Sequence, residues 1–359
     1  MLRQPPRLLV AASGTGGHLF PALALAEQLT DYQIEWLGVP NRMETQIVGD
    51  RYPLHTIPVE GFQTRPSFKS LKILAGLVSS IFRVRKLLQQ GRFQGVFTTG
   101  GYISGPAILA ARSLGLPVIL HESNALPGKV TRWMSPWCTL VALGFEGASQ
   151  YLPKAKTQTL GTPVRQNFLQ AGQEPLELGI PAGDPLIVVV GGSQGAVAIN
   201  RLVREAAPAW LEAGAWVFHQ TGEQDGDRHT LQHPHYIAQS FYNNMAALLN
   251  RADLAISRAG AGTLTELAIT ATPSILIPYP YAAEDHQSFN AAVFAAADAA
   301  WVCQQSGLDA ETLRTKVLTL LQNRTDPDGP LQSMAKKAKS LAIEDSAHIL
   351  ADAVRSRVG

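Results

Sequence analysis

The sequence predicts an α/β protein made of two Rossmann-like domains, each built on a parallel sheet. The chain has 359 residues, which exceeds one ordinary core and fits two domains of roughly 150 to 200 residues. Short apolar runs repeatedly lead into a glycine-rich turn and then into an Ala- and Leu-rich stretch with helical spacing. Because strands that alternate with helices form parallel sheets, this repeat predicts the fold class.

Composition narrows the class of protein. The chain is 46% hydrophobic and 16% charged with a net charge of +2, which is typical of a globular protein and gives no basic excess for nucleic acid. Cys138 and Cys303 lack partners at metal-ligand spacing, so we expect neither a disulfide nor a zinc site, and a reducing cytosol. We also expect no secretory signal and no apolar run of the roughly 18 residues that span a bilayer.

The first unit runs from the strand LLVAAS into the turn GTGGH. Glycines at a strand's carboxyl end let the backbone approach phosphate, and the first N–H groups of the following helix bind anions. Thr15, Gly16 and Gly17 lie in this turn, and His18 follows at the predicted start of the helix. From its position alone, a histidine here fits a functional role and the role of a helix cap or packing residue equally well. The spacing matches neither the dinucleotide fingerprint nor the P-loop.

A basic stretch follows. Residues 61–121 contain no acidic residue and eight basic ones, namely Arg65, Lys69, Lys72, Arg83, Arg85, Lys86, Arg92 and Arg112. Within it, residues 68–88 place apolar side chains on one helical stripe flanked by lysine and arginine: Leu71, Leu74, Val78, Ile81 and Phe82. The pattern is typical of an interfacial membrane helix, and it fits a core-facing helix with a solvated basic edge equally well.

Three more units repeat the pattern: GVFTT before GGYISGP, LIVVV before GGSQGA, and DLAIS before RAGAGT. Between the GGYISGP unit and the LIVVV unit lies a Pro- and Gly-rich stretch without periodicity, residues 170–185, which marks a domain junction. We predict a first domain over residues 1–163 and a second over 164–340. Their glycine turns would lie at the carboxyl ends of the strands, where open α/β sheets bind ligands.

Seven motifs occur in the order, and at about the separations, found in the MurG family of bacterial N-acetylglucosaminyltransferases: GTGGHLFPALALAEQL, GGYISGP, HESNALPGKVTRWM, GTPVR, GGSQGA, SRAGAGTLTELA and EDHQSFNAA. The sequence resembles that family over nearly its whole length. The resemblance implies a GT-B fold, with two Rossmann-like domains facing across a cleft and a last helix, about residues 341–359, packing back on the first. It also implies inverting transfer of N-acetylglucosamine from its UDP donor to lipid I, which gives lipid II.

The resemblance also implies roles for single residues. His18 would take the proton from the acceptor's 4-hydroxyl. Glu266, placed with His18 at the reacting site, would accept hydrogen bonds from the ribose hydroxyls. Arg165 and Ser193 would bind the UDP diphosphate. The remaining donor-binding candidates are Thr15, Gly16, Gly17, Asn124, Gln194, Ala261, Gly262, Thr263 and Gln287, and the acceptor-binding candidates are Tyr102 and Ser104.

The family pattern is not matched everywhere. Ser123 stands where some relatives have glutamine, and Asp285-His286-Gln287 replaces the paired glutamines of others. Whether His286 or Gln287 contacts the donor sugar is left open. We expect no cofactor, no bound metal and no Asp-x-Asp carboxylate pair that holds Mg²⁺ beside a diphosphate.

The partners implied are UDP-N-acetylglucosamine, lipid I, the machinery of wall synthesis and division, and the cytoplasmic leaflet of the bacterial inner membrane, reached peripherally through the helix near 68–88. Several basic groups near an anionic leaflet each contribute about 1 kcal/mol, which supports a weak anchor. Three alternatives remain: a GT-B transferase with another lipid acceptor such as diacylglycerol, a UDP-sugar epimerase of the same fold, and a membrane-recruited nucleotide-binding scaffold without turnover.

Overall fold

The computed structural model describes residues 5–59, 68–170, 176–192 and 195–358, with side chains from residue 75 onward in the helix that begins at Phe68. The chain forms two compact units. Unit 1 comprises residues 1–165 and 343–359, and unit 2 comprises residues 166–342. The chain therefore passes between the units twice, close to the boundaries expected from the sequence at 163 and 340.

Unit 1 is built on a parallel sheet that contains, among the described residues, seven strands in the order β3-β2-β1-β4-β5-β6-β7. The strands are β1 (Arg7–Ala11), β2 (Gln33–Gly38), β3 (Leu54–Thr56), β4 (Gly95–Thr98), β5 (Val118–Glu122), β6 (Leu140–Leu143) and β7 (Thr157–Thr159). Strand order reverses between β1 and β4, where Ala11 lies opposite Thr98. The turns after these two strands are therefore neighbours at the switch point, where open α/β sheets bind ligands.

The helices of unit 1 cover both faces of this sheet. They are α1 (Gly16–Gln28), α2 (Glu44–Ile47), α3 (Phe68–Gln90), α4 (Ser104–Ser113) and α5 (Lys129–Met134), with 3₁₀ turns at Ser135–Trp137 and Glu146–Tyr151. The central strands are buried on both faces, so they read as continuous apolar runs rather than as alternating patterns.

Unit 2 follows the same plan. After α6 (Gln166–Leu169), its described residues form a six-stranded parallel sheet in the order β10-β9-β8-β11-β12-β13. The strands are β8 (Leu186–Val190), β9 (Trp216–Gln220), β10 (Tyr236–Gln239), β11 (Leu254–Ser257), β12 (Ser274–Leu276) and β13 (Ala300–Val302). Val190 lies opposite Ser257, so the turns after β8 and β11 meet at this sheet's switch point.

The helices of unit 2 each contribute buried apolar residues, and Trp210 of the first of them is fully buried. They are α7 (Val197–Glu212), α8 (Met245–Arg251), α9 (Ala261–Ile269), α10 (His286–Ala296), α11 (Ala310–Gln322) and α12 (Pro330–Ser340), with 3₁₀ turns at Ala283–Asp285 and Gln305–Gly307.

The last helix, α13 (Ser346–Val358), returns the chain to unit 1 and packs against α1. Its Leu350 and Val354 are fully buried there. Arg355 donates to the Asp31 carboxylate and to the Gln28 carbonyl at the end of α1. The hydrogen bond from Arg355 holds the pKa of Asp31 below its usual value.

Helix α3 has an inner and an outer face. Val84 and Leu88 are buried in the core of unit 1, and Ile81 packs against that core. Val78 and Phe82 are exposed, Phe82 by 66% of its surface. The apolar stripe predicted from the sequence is thus wrong for Ile81, which turns inward, whereas its stripe neighbours Val78 and Phe82 face solvent. Arg65 and the side chains of Lys69, Leu71, Lys72 and Leu74 lie outside the described residues.

Candidate active site

His18 lies in the first turn of α1, at the switch point of unit 1. Its Nδ1 atom is 2.6 Å from the carbonyl oxygen of Thr99, in the turn after β4. Because a carbonyl can only accept a hydrogen bond, Nδ1 carries the hydrogen, and a neutral ring then keeps a lone pair on Nε2. Nε2 lies beside Gly101, where an added Cβ would be 3.8 Å away. The glycines after β4 therefore leave room next to the atom that can act as a base.

The two glycines before His18 differ in environment. A Cβ on Gly16 would lie 2.7 Å from the ring of Phe20, and Gly16 is buried. Its missing side chain makes room for Phe20, and its contact with the donor, which the backbone N–H would make, stays a prediction. Thr15 and Gly17 are exposed. The guanidinium of Arg165 lies 4.7 Å from the centroid of the Phe20 ring, a cation–π distance, and thus near the start of α1.

The acceptor-binding candidates Tyr102 and Ser104 also differ in their exposure to solvent. Tyr102 is 53% exposed. Ser104 is fully buried, and its hydroxyl donates to the Gly100 carbonyl at 2.6 Å and pairs with the Thr98 hydroxyl. Ser104 therefore supports the turn that carries Tyr102, and the assignment of Ser104 to the acceptor site stays a prediction.

The end of β5 carries two residues that sequence reasoning missed. Glu122 is buried, and its carboxylate accepts from the N–H and the side-chain amide of Asn124, both at 3.0 Å, and from the Gly128 N–H. Glu122 thus orients Asn124, the donor-binding candidate that the family resemblance implies. Burial lowers the pKa of His121 to about 4, so its ring is neutral, and Nε2 donates to the Gly161 carbonyl at 3.0 Å. The sequence feature that could have identified His121 and Glu122 is their position at the end of a buried strand.

The turn after β8 holds the second glycine loop. Ser193 and Gln194 lie outside the described residues, so their predicted contacts with the donor remain predictions. Gly195 has φ +74°, and a Cβ there would stand 2.1 Å from the Thr221 carbonyl oxygen. The loop therefore passes directly against Thr221, which only glycine permits.

A buried polar network fixes Thr221. The side-chain amide of Asn200 donates to the Thr221 carbonyl and to Asp225, both at 2.8 Å, and its oxygen pairs with Nε2 of His219. Burial lowers the pKa of His219 to about 3, so this histidine is neutral. Since the amide nitrogen already donates, the Asn200 oxygen accepts from His219, whose Nδ1 accepts from the Tyr236 hydroxyl. The Thr221 carbonyl, against which the glycine loop packs, is therefore held in place by Asn200.

Helix α9 begins directly after the turn that follows β11. Ala261 is buried at its first position, while Gly262 and Thr263 are partly exposed. Glu266 lies one turn further on the same face as Gly262, and it is also partly exposed. Small residues and free N–H groups at a helix start, followed by a carboxylate one turn on, suit a nucleotide whose ribose reaches the carboxylate.

Two side chains of helix α10 form hydrogen bonds with the turn before α9. The side-chain oxygen of Gln287 accepts from the N–H groups of Ala259 at 3.1 Å and Tyr279 at 2.9 Å. One turn along α10, the buried Asn290 donates to the Ala259 carbonyl at 3.1 Å. With its oxygen taken up in this way, Gln287 can meet a sugar hydroxyl only through its NH₂ group. His286 pairs with the Ala283 carbonyl through Nδ1.

We expect Gln287→Glu and Gln287→Ala to differ in steady-state kinetics. Glutamate keeps an oxygen for the two N–H groups and loses the NH₂ donor, whereas alanine loses both functions. If Gln287 contacts the sugar, the glutamate variant raises the KM for UDP-N-acetylglucosamine about tenfold, and alanine raises it further and lowers kcat. A glutamate variant with wild-type KM would instead assign the sugar contact elsewhere, with His286 the first candidate.

Two Asp-x-Asp pairs occur in the chain, Asp225–Asp227 and Asp326–Asp328, so the expectation that it lacks such a pair is wrong. Asp225 is held in the polar network by Arg204, which donates to both of its oxygens. Burial acts to raise the pKa of Asp225, but Arg204 and Asn200 hold it below its usual value. Within the described ranges, no cluster of three or more His, Cys, Asp or Glu residues has the geometry of a metal site.

Two Rossmann-like parallel-sheet units in one chain are the architecture of the GT-B class of glycosyltransferases. Residues 8–143 match the glycosyltransferase family 28 N-terminal domain, and residues 186–350 match the glycosyltransferase family 28 C-terminal domain. The chain belongs to glycosyltransferase family 28.

Individual relatives agree with this assignment. The chain is 63% identical to UDP-N-acetylglucosamine–N-acetylmuramyl-(pentapeptide) pyrophosphoryl-undecaprenol N-acetylglucosamine transferase of Nostoc sp., over 100% of this chain and 99% of that one. The fold is similar to the crystal structure of Acinetobacter baumannii MurG, with a TM-score of 0.77 and 30% identity over 98% and 100% of the two chains. The calicheamicin glycosyltransferase CalG4, at 14% identity and a TM-score of 0.73 over 100% and 99%, shares the fold.

Proposed function

We propose that this protein transfers N-acetylglucosamine from UDP-N-acetylglucosamine to the 4-hydroxyl of the N-acetylmuramoyl unit of lipid I, which gives lipid II. The observation that carries the proposal is full-length similarity, 63% identity, to a relative named for that reaction. His18 and Glu266, the two residues that the family resemblance assigns to the reacting site, are both present, and the hydrogen bond to Thr99 gives His18 the tautomer that a base needs.

The reaction is a single displacement at the anomeric carbon. Nε2 of His18 takes the proton of the acceptor hydroxyl as its oxygen bonds to the anomeric carbon, and the bond from that carbon to the UDP oxygen breaks. The electron pair leaves with UDP, and the configuration inverts. Arg165 stabilises the charge that develops on the diphosphate, because its guanidinium is permanently charged and matches phosphate geometry. Glu266 holds the ribose through its hydroxyls.

The experiment that tests the proposal measures UDP release with purified protein and UDP-N-acetylglucosamine. Release that requires a short-chain lipid I analogue, and that diacylglycerol does not elicit, supports transfer to lipid I. Release with diacylglycerol would favour the alternative lipid transferase. Conversion of the UDP-sugar without acceptor would favour the epimerase, and tight UDP binding without turnover would favour the scaffold.

The same proposal includes peripheral attachment to the cytoplasmic face of the bacterial plasma membrane. No helix in the described part of the chain is long and apolar enough to cross a bilayer. Val78 and Phe82 lie one turn apart on the outer face of α3, with the exposed Arg83 and Lys86 beside them. Apolar groups flanked by cations are the combination that anionic lipid surfaces attract. Association with wall-synthesis and division proteins stays a prediction.

We expect Phe82→Ser to weaken binding to vesicles that contain anionic phospholipid. Burial of a phenylalanine side chain contributes about 2 kcal/mol, so the partition coefficient measured by flotation falls about tenfold or more. Tyr281→Ser is the matched control, because Tyr281 is 80% exposed and lies in unit 2. Equal flotation of wild type and Phe82→Ser would exclude α3 as the anchor.

A further inference from the structure

Glu44, the first residue of α2, is a fully buried carboxyl group that the proposed reaction does not use. One carboxyl oxygen accepts from the Val39 N–H at 2.8 Å and from the Ser13 hydroxyl. The other accepts from the Gly14 N–H at 3.3 Å. Donors therefore face both oxygens, which is the environment that stabilises an ionised carboxylate inside a protein.

The surrounding backbone is shaped around this side chain. A Cβ on Gly38, the last residue of β2, would lie 2.7 Å from Cγ of Glu44. The glycine thus lets the carboxyl group cross beneath the end of β2 to the turn after β1. Gly14 in that turn has φ +104°, a conformation that favours glycine, and its N–H points to Glu44.

The position of Glu44 bears on where phosphate can bind. In dinucleotide-binding folds, an acidic residue after the second strand accepts hydrogen bonds from a ribose. Here Glu44, the first acidic residue after β2, is turned inward and buried, and it accepts from the Gly14 N–H of the glycine turn. A second anion at Ser13 and Gly14 would also meet the charge of Glu44 at short range.

We propose that Glu44 is a positioning residue that serves as the internal anion of the first glycine turn. It holds Ser13 and Gly14, thereby sets the start of α1 and the place of His18, and directs a substrate diphosphate to the N–H groups at the start of α1. The first N–H groups of a helix generally lack partners within it. In α1 the N–H of His18 already donates to the Thr15 carbonyl at 3.0 Å, so the N–H groups of Gly16 and Gly17 are the ones meant. The inference rests on the proposed function in one respect, namely that the diphosphate is that of the lipid acceptor.

The test compares full-length wild type with Glu44→Gln, which removes the charge and turns an NH₂ group toward a donor. We expect kcat/KM for a short-chain lipid I analogue to fall about tenfold, because buried donors lose their acceptor. The KM for UDP-N-acetylglucosamine stays within about twofold. Inorganic pyrophosphate, assayed as a competitor of the lipid analogue, should inhibit the variant with a Ki about fivefold lower, because a repelling charge is gone.

Two further variants complete the experiment. Gln46→Ala, at an exposed position of the same helix, should match wild type in all three measurements. Ser13→Ala removes one donor and should lower kcat/KM for the lipid analogue about threefold, which carries the test if Glu44→Gln does not fold.

An unchanged kcat/KM in Glu44→Gln, or in Ser13→Ala where that variant carries the test, overturns the positioning role. A Ki for pyrophosphate in Glu44→Gln that equals or exceeds that of wild type overturns the proposal that the Glu44 charge repels a second anion at Ser13 and Gly14. Wild type that makes no product from the lipid analogue would contradict the proposed function instead, so the two failures are distinct.

Discussion

His18→Ala lowers kcat for the lipid I analogue about 10²- to 10⁴-fold, the range that a general base contributes, and leaves the KM for UDP-N-acetylglucosamine close to that of wild type. The structural reason is the hydrogen bond from Nδ1 to the Thr99 carbonyl, which leaves Nε2 as the proton acceptor. His18→Asn should be as slow as alanine, because an amide can replace the donor to Thr99 but offers no basic nitrogen.

The control for this prediction is His348→Ala, which removes an exposed histidine of α13 in the same unit. Its kinetics should equal those of wild type. Turnover of His18→Ala within a few-fold of wild type would refute the assignment of the base and leave His18 as a group that orients the acceptor.

Gly195→Ala lowers kcat/KM for UDP-N-acetylglucosamine about 100-fold, the loss that a displacement of about 1 Å in a binding element can cause. The new Cβ would stand 2.1 Å from the Thr221 carbonyl, and Asn200 holds that carbonyl from the other side. The glycine loop therefore has to move, because the carbonyl beneath it is fixed within a buried network.

Gly192→Ala separates this collision from backbone strain. Gly192 has φ +89°, but a Cβ there would have nothing within 4 Å. The only cost expected in this variant is the strain of a left-handed backbone conformation, roughly 1 kcal/mol. Its kcat/KM for UDP-N-acetylglucosamine should therefore fall only about fivefold. Calorimetric titration of UDP against both variants gives the comparison. Equal losses at the two positions would show that the contact with Thr221 does not shape the donor loop.

The local sequence pattern was sufficient to predict the strands, the glycine turns and the division into two units. Apolar runs and turn residues act over a few positions, so LLVAAS before GTGGH predicts a strand and the turn that precedes α1 without knowledge of the rest. The switch points follow from the same units, since parallel strands bring their carboxyl ends to one edge. These features carry most of the fold and the location of the candidate site.

The role of an individual side chain depends on contacts that pattern does not encode. Gly16 has the same position in its turn whether it faces phosphate or Phe20, and only packing shows that Phe20 occupies the space. The family resemblance makes Gln287 a sugar-binding candidate, yet its oxygen accepts from the N–H groups of Ala259 and Tyr279, which precede it in the chain. Ser104 likewise turns into the loop it supports.

Mass spectrometry of the acceptor is the decisive measurement for transfer to lipid I. Purified protein is incubated with UDP-N-acetylglucosamine and a short-chain lipid I analogue in the presence of EDTA. We expect the analogue to gain the mass of one N-acetylhexosamine, His18→Ala to abolish most of this gain, and chelation to leave it unchanged. No gain by the wild type, with and without added Mg²⁺, while other lipid acceptors are modified, would contradict transfer to lipid I.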